Sequence, residues 1–465
     1  MDEIKVHLKE LFLISRLFLT IMRLEAFLLT FGLISGAKPS ETTFENVTIW
    51  KSAEEELAVI VSSNSLKQHL PNTSLDLIAI TGEIPILYEN SLSNISNVEQ
   101  IYFHENELTE IKPGAFKNLT LEALEVFYSN LTTLKSGIFC NVSLEKLEIS
   151  YNFLSKIEPF GGLTGLRVLS LSHNNLEDLE AHLLDKLPEL QVLDLSYNRI
   201  SVLHPKLLNN QCKLKTLLLR KNKFWHFPNI FENSSLELLE LSSNLMSKLP
   251  EGVLDNLQNV SRLFLSFNHL ESIPSNVFTG HPNIKELDLS NNRITTIASD
   301  AFDNMPQLVN IKFTSNKLAK YDPNWFHRTP NLYQLNLANN QIGDLPEEVF
   351  RNLYSDKKQW ISLSGNKIKT ISPNAFRGFK RFDTLNLSFN ELESWDGSLL
   401  ADTEVIFYLN LLHNKIKCVG GDLDQAFKAN FTYLGMNPLA PRCLQKILDW
   451  RGDKHVVCTA PCLLY

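Results

Sequence analysis

One eleven-residue pattern, Leu-x-x-Leu-x-Leu-x-x-Asn-x-Leu, recurs through most of the sequence, and a chain written this way buries its leucines only by stacking unit on unit. The ninth position of the pattern falls at 106, 129, 152, 174, 198, 222, 244, 268, 292, 316, 340, 366, 390 and 414, giving fourteen units at steps of 22 to 26 residues. All of these positions are Asn except Ser129. Representative units read Leu190, Leu193, Leu195, Asn198, Ile200 and Ile284, Leu287, Leu289, Asn292, Ile294. A degraded fifteenth unit shows as Leu75, Ile78 and Ile80 with Glu83 at the ninth position, and Val59, Val61, Asn64 and Leu66 read as a further remnant.

In each Leu-x-Leu core the two leucines share one face of a short strand and the residue between them takes the other, so every strand has a dry and a wet side. The Asn sits among leucines, and its amide must find backbone groups of its own turn and of the neighbouring unit. A second apolar mark recurs at Phe116, Phe139, Phe231, Phe278, Phe302, Phe326, Phe350 and Phe376, which is expected to stack as an aromatic spine on the convex side. The fold class expected is an α/β solenoid of about 14–15 repeats, each contacting only its neighbours.

On these residues the chain resembles the extracellular leucine-rich repeat family, of the Phe-spined kind with units of roughly 24 residues, over about residues 75–417. The resemblance implies a leucine-rich repeat horseshoe with a parallel β-sheet on its concave face. It also implies caps, here residues 38–74 and 418–465. The second cap holds Cys418, Cys443, Cys458 and Cys462 and resembles the family's cysteine-rich flank, although Gly420 replaces the cysteine of the usual Cys-x-Cys opening. Four cysteines allow three pairings, and within the resemblance Cys418 with Cys443 is preferred. The first cap has no cysteine, so strand-like pieces at 46–50 and 57–61 are expected to cover that end. Cys140 and Cys212 lie three units apart, roughly 15 Å at one strand spacing per unit, too far to bond to each other. They read as small buried hydrophobes, or alternatively as attachment points for a partner.

Composition narrows the function. The 465 residues are 44% hydrophobic and 21% charged, with 44 basic and 52 acidic residues and a net charge of -8, which argues against nucleic acid as a partner. Residues 11–37 are apolar but interrupted by Arg16, Arg23 and Glu25, short of the ~20-residue run a membrane span needs. From Met22, an alternative start, MRLEAFLLTFGLISGA has the basic beginning, short apolar run and small-residue end of a secretory signal, so residues 1–37 are expected to be removed after Ala37. A signal anchor over residues 11–35 is the competing reading and would hold Arg23 and Glu25 inside it. No apolar run follows toward the C-terminus, so a secreted, extracellular product without a membrane span is expected.

Ten Asn-x-Ser/Thr sequons occur, at Asn46, Asn72, Asn94, Asn118, Asn130, Asn141, Asn233, Asn259, Asn386 and Asn430. Asn72, Asn118, Asn141 and Asn233 lie eleven residues before the ninth position of their units, with Asn94 and Asn259 within two of that offset, so they are expected to line one flank. Asn386 differs, being the outward residue between Leu385 and Leu387 on the concave sheet.

The outward mid-strand residues run Tyr102, Glu125, Glu148, Ser170, Asp194, Leu218, Glu240, Phe264, Asp288, Lys312, Asn336, Ser362, Asn386 and Asn410, acidic with apolar islands over the first two thirds. Tyr102, Phe127 and Tyr128 are expected to make an aromatic patch near the N-terminal end. Arg220, Lys221 and Arg262 beside Leu218 and Phe264 form a mixed basic and apolar patch of the kind that binds proteins. The candidate ligand-binding residues are therefore Tyr102, Phe127, Tyr128, Glu148, Asp194, Leu218, Arg220, Glu240, Arg262, Phe264 and Asp288. The aromatics that precede the Asn, Tyr151, Tyr197, Phe267 and Phe389, have the alternative of stacking for purely structural ends.

Catalytic readings find no support: His104 and residue 105 lack the second histidine of a zinc-protease helix, and Gly161, Gly162 and Gly165 lack the spacing and context of a phosphate loop. No cofactor and no metal is expected. The expectation is a secreted, non-enzymatic protein that binds an extracellular protein or microbial-surface ligand, alone or as a disulfide-linked or non-covalent oligomer. Through its resemblance to secreted insect leucine-rich repeat proteins, including the coil-less leucine-rich immune proteins of mosquitoes, the expected setting is innate immunity. The alternatives are adhesion or matrix interaction, for which residues 451–453 supply an Arg-Gly-Asp, and a carrier or regulatory subunit for a secreted partner.

Overall fold

The structure is a computed structural model that describes residues 43–457 apart from 52–54, 105, 229, 232–233, 251, 253, 276, 279–282, 304, 354–356 and 452–455. The expected signal segment, Asn233, Cys458, Cys462 and residues 452–453 of the Arg-Gly-Asp lie outside the described residues.

From Leu75–Thr81 onward the strands join one parallel sheet in chain order, each strand paired with that of the next unit, through Val456–Val457. Central strands are only three residues long, as in Val192–Asp194 and Thr216–Leu218, with Leu193 opposite Leu217 and Asp194 opposite Leu218. The N-terminal units are built differently. Phe116–Phe127 and Phe139–Glu148 are long and pair from Phe116 opposite Phe139 to Glu125 opposite Glu148. Each bends at an Asn with a left-handed backbone, Asn118 at φ 52° and Asn141 at φ 53°. Asn tolerates that conformation better than other residues with a Cβ. Helix is sparse among the described residues: the convex side of the central units is made of turns, and the longest helix, Pro441–Arg451, belongs to the C-terminal end.

Leucines of the pattern form one continuous buried core along the stack. The Asn row closes it on the side where the chain leaves the sheet. Asn198 donates Nδ2 to the carbonyls of Leu171 and Leu195, both at 3.0 Å, and accepts the amide of Leu176 at Oδ1. Because Nδ2 reaches one unit back while Oδ1 accepts from that same unit, each buried amide is satisfied only in a stack. The row runs one rung past Asn414, to Asn437, which accepts from Ile416 and donates to Leu411. Ser129, too short for both tasks, donates its hydroxyl to the carbonyl of Phe127, two residues earlier in its own unit.

The Phe positions are buried and stack in runs: Phe116 on Phe139 at 5.2 Å, Phe278 on Phe302 at 5.9 Å, Phe302 on Phe326 at 5.1 Å and Phe350 on Phe376 at 5.8 Å. Tyr321 wedges between two of these runs, 4.8 Å from Phe350, and full burial lifts its hydroxyl pKa well above the usual phenol value.

The N-terminal end is covered by the antiparallel pair Phe44–Trp50 and Glu56–Ser63, the first of which also pairs antiparallel with Leu75–Thr81. Phe44, Val47 and Ile49 are buried there. At the other end Cys418 and Cys443 are bonded with a Cα separation of 5.4 Å, tying the strand Cys418–Gly420 to the helix. The expectation that Cys140 and Cys212 are buried small hydrophobes does not hold: Cys212 is exposed, and Cys140 is half-buried in the strand Phe139–Glu148, between buried Phe139 and exposed Asn141 and outside the leucine positions.

Candidate binding face

Strand alternation and parallel register together place the outward residues in straight rows. The middle row runs from Tyr102 through Glu125, Glu148, Ser170, Asp194, Leu218, Glu240, Phe264, Asp288 and Lys312 to Asn336, Ser362, Asn386 and Asn410, each opposite the next. A second row, two residues earlier, brings up Lys146 and Arg262 and ends in Trp360, Thr384, Tyr408 and Phe431.

At the N-terminal end the candidate residues are tied to one another. Lys146 Nζ lies 2.6 Å from Glu125 Oε1 and 2.8 Å from Glu148 Oε2. Burial works against its charge, but the bonds to Glu125 and Glu148 outweigh it and hold the ammonium well above its ordinary pKa. Burial, and after it the charge of Glu125, pushes the Tyr102 hydroxyl up to about 12, and that hydroxyl donates to Gln100 at 2.7 Å. Glu148 is therefore one of two carboxylates that share a single ammonium and not a free carboxylate, and Lys146, absent from the candidates, is the centre of the cluster.

Tyr128 makes its ring contacts with His104 and Tyr151. It belongs to a ladder made by the residues that precede the ninth position of each unit: Tyr128 stacks on Tyr151 at 4.7 Å, Tyr151 on His173 at 4.0 Å and His173 on Tyr197 at 4.0 Å. His104 closes one end edge-on at 5.5 Å, and Lys221 Nζ closes the other, 5.2 Å above the Tyr197 ring. All four stacked residues have left-handed backbones, with φ between 50° and 55°. That conformation swings their side chains along the sheet's edge. Tyr128 is 47% and Tyr151 40% exposed, and Phe153 beside them is 53% exposed. His173 is held below the ordinary imidazole value, by burial first, with Lys221 adding and Asp194 opposing.

Farther along, Glu240 separates Leu218 from Phe264, so the mixed patch is not one apolar island. Glu240 accepts the amide of Ser242 at 2.7 Å; burial raises its pKa against that bond and the nearby Arg220. Asp194 and Asp288 cap the amides of Ser196 and Ser290 in the same way. Arg220 and Arg262 are exposed.

The C-terminal third carries an aromatic cluster outside the predicted site. Tyr408 stacks on Phe431 at 5.3 Å, Phe407 meets both edge-on, and Val405 is exposed beside them. A register shift between Gln359 and Trp360 places an extra residue, Asp383, opposite the gap, and Phe407 occupies the matching place one strand later. The plain Leu-x-Leu pattern carries no mark of this shift.

The sequons fall into distinct settings. Asn94, Asn118 and Asn141 form a ladder of amides on the entry flank, Asn118 donating to Asn94 at 3.0 Å and Asn141 to Asn118 at 2.8 Å. Asn46, Asn72, Asn130, Asn259 and Asn430 are exposed, Asn130 next to the ladder of rings. Asn386 stands in the middle row, as its place in the pattern implies. Among the described residues no group of three or more His, Cys, Asp or Glu is placed to hold a metal ion, and no helix is long and apolar enough to cross a membrane.

The leucine rich repeat family model matches residues 120–176, 142–200, 164–224, 258–318, 330–392 and 359–416. A BspA type leucine rich repeat region matches residues 62–145, the part with the long strands. No curated protein matches the sequence. Among solved structures the APL1 leucine-rich repeat domain is similar at a TM-score of 0.59 and 21% identity, covering 74% of this chain and 87% of that one. A leucine-rich repeat protein of Leptospira interrogans reaches 0.51 at 21% identity, over 68% of this chain and 90% of its own. The Toll–Spatzle complex of Drosophila reaches 0.51 at 19% identity, over 82% of this chain and 56% of that one. At these identities the likeness shows a shared fold.

Proposed function

The chain belongs to the leucine-rich repeat family, and from that premise we propose that it is a secreted, non-enzymatic recognition protein whose ligand is another protein, held along the N-terminal two thirds of the concave sheet. The observation that carries this reading is the ladder from His104 to Lys221. Its rings stack face to face at 4.0–4.7 Å, so their faces are already used and only their edges and hydroxyls are presented. A sugar is gripped on an open ring face, whereas rigid ring edges beside charged groups suit a protein surface. The carboxylates of Asp194 and Glu240 and the exposed Arg220 and Arg262 give such a partner polar groups to meet at the rim.

Export is supported by the signal-like layout from Met22 to Ala37 and by the bonded Cys418–Cys443 pair, since such bonds persist in oxidising compartments. The setting we propose is innate immunity, following the resemblance to insect immune repeat proteins; the Toll–Spatzle structure of the same fold is described as a hub in development and innate immunity.

The test is to express the full chain in eukaryotic cells, collect it from the medium, and incubate it with extracellular fluid and with whole bacteria. A Tyr151→Ala/Tyr197→Ala variant is run alongside. Retention of a defined protein by the unaltered chain and its loss in the variant is the expected result. Binding to bacteria or purified polysaccharide that the variant leaves intact would overturn the protein reading, and retention inside the cell would overturn export.

A further inference from the structure

The C-terminal third of the concave face differs in chemistry from the rest. Its second row reads Trp360, Thr384, Tyr408 and Phe431 and its middle row Asn336, Ser362, Asn386 and Asn410, without a charged residue in either. Trp360 and Tyr408 flank Thr384 one rung away on each side. Two rungs are about 9.6 Å at sheet level, enough for one six-membered ring between two aromatic rings at stacking separations of roughly 4.5–5 Å. Tyr408 gives one ring face to Phe431, on the strand that lies away from Thr384. Unlike the N-terminal ladder, where each ring lies on the next, here the short side chain of Thr384 stands between the two aromatic residues.

Asn386 lies at the head of the slot, two residues beyond Thr384 on the same face and diagonal to both rings, within the ~7–8 Å over which long side chains on one sheet face meet. It begins the sequon Asn386-Leu387-Ser388. Its Oδ1 accepts both the amide of Ser388 at 3.1 Å and the hydroxyl of Ser388 at 2.7 Å, which fixes the carboxamide. Among the described residues Nδ2 has no partner. In Asn118 and Asn141, by contrast, Nδ2 is engaged in the flank ladder.

We propose that Asn386 carries an N-linked glycan whose first N-acetylglucosamine folds back over Thr384 and is clamped between Trp360 and Tyr408, so that the protein's own sugar fills the C-terminal third of the concave face. Transfer forms a bond from Nδ2 to C1 of the sugar, releases one amide proton, and sends off the lipid-linked diphosphate carrier as leaving group. The inference rests on the proposed export, because that transfer occurs on the secretory route. Its consequence is that partner binding is confined to the N-terminal two thirds, and that the aromatic residues of the C-terminal third are a bed for a glycan and not a docking site.

The experiment is site-resolved glycopeptide mass spectrometry on the full secreted chain, with peptide-N-glycosidase release followed under native and denaturing conditions. Asn386 is expected to be occupied, and its glycan to leave the native protein at least about tenfold more slowly than that on Asn430, the factor that about 1.4 kcal/mol of packing gives. The difference should vanish after denaturation. A Trp360→Ala variant should bring native release at Asn386 close to that at Asn430. An unoccupied Asn386 in a chain glycosylated at Asn72 or Asn430, or equal native release at Asn386 and Asn430, overturns the clamp while leaving export intact. A chain without glycan at any sequon overturns both.

Discussion

Asn118 gives its side-chain amide to Oδ1 of Asn94 at 3.0 Å, and the two residues sit at matching bends of neighbouring units, with φ of 52° and 55°. One Asn thus serves both as the corner of its own strand and as the donor that joins that corner to the unit before. Asn118→Ala should remove the bonds to Asn94 and from Asn141 and leave a Cβ in the left-handed region, a loss of about 1–2 kcal/mol. Asn118→Gly should recover the backbone part, so the melting temperature should fall in the order Asn, Gly, Ala. Equal melting of the Gly and Ala variants would show that the corner costs Ala nothing.

Lys146 is predicted to matter for the fold before it matters for any ligand. Glu125 is buried, 5% exposed, and Lys146→Met would leave its carboxylate without that ammonium, at a cost of about 1–2 kcal/mol after allowing for the partial exposure of the lysine. Adding Glu125→Gln to Lys146→Met should restore much of the loss. Thermal unfolding of the two single variants and the double variant supplies the coupling; strict additivity would count against the pair.

Stability should depend on pH through His173. Its pKa in the folded chain lies below the ordinary 6.5, so the unfolded chain takes up that proton first as the pH falls. The contribution is therefore complete above about 6.5 and is lost on descending through the folded value. His173→Phe keeps a ring between Tyr151 and Tyr197 without a titrating group. Between pH 7.5 and 5 its melting temperature should fall less than that of the unaltered chain, and parallel falls would remove His173 from the account.

Ser129 leaves a gap in the Asn row, and Ser129→Asn should fill it. In other rungs Oδ1 accepts the amide two residues after the preceding Asn, as Asn222 does from Ile200 at 3.0 Å. The corresponding amide before Ser129 is that of Leu108. One added buried hydrogen bond is worth about 1 kcal/mol, so the variant should melt at a higher temperature. A lower one would mean that the tightly packed interior has no room for the longer side chain.

Much of this architecture is legible in the residues. Two-residue alternation assigns Tyr102 through Asn410 to one face, and the parallel register that aligns them follows from a pattern repeated in step. What alternation does not show is where long side chains go. Lys146 spans to two carboxylates across and along the sheet, and the rings before each Asn lean on their neighbours only because of a backbone twist that no hydrophobic pattern encodes. Asn437 escapes the pattern because Ala429 and Thr432 stand at its first and fourth positions where Leu is usual, although its hydrogen bonds are those of any other rung. Asp383 gains its place between Phe382 and Thr384 from a register shift, and shifts of that kind have no signature in periodicity.

In every rung from Tyr128 to Met436 the residue before the ninth position has positive φ: tyrosine, histidine, lysine, serine, phenylalanine, asparagine, glycine or methionine, and never valine, isoleucine or threonine. Side chains branched at Cβ are the ones that backbone geometry tolerates least. That edge of the sheet is thus written in a restricted alphabet. Variation can change its charge, aromaticity and reach from rung to rung without disturbing the leucines beneath, while three of the residues commonest in strands stay barred from it by the same twist that holds each rung to the next.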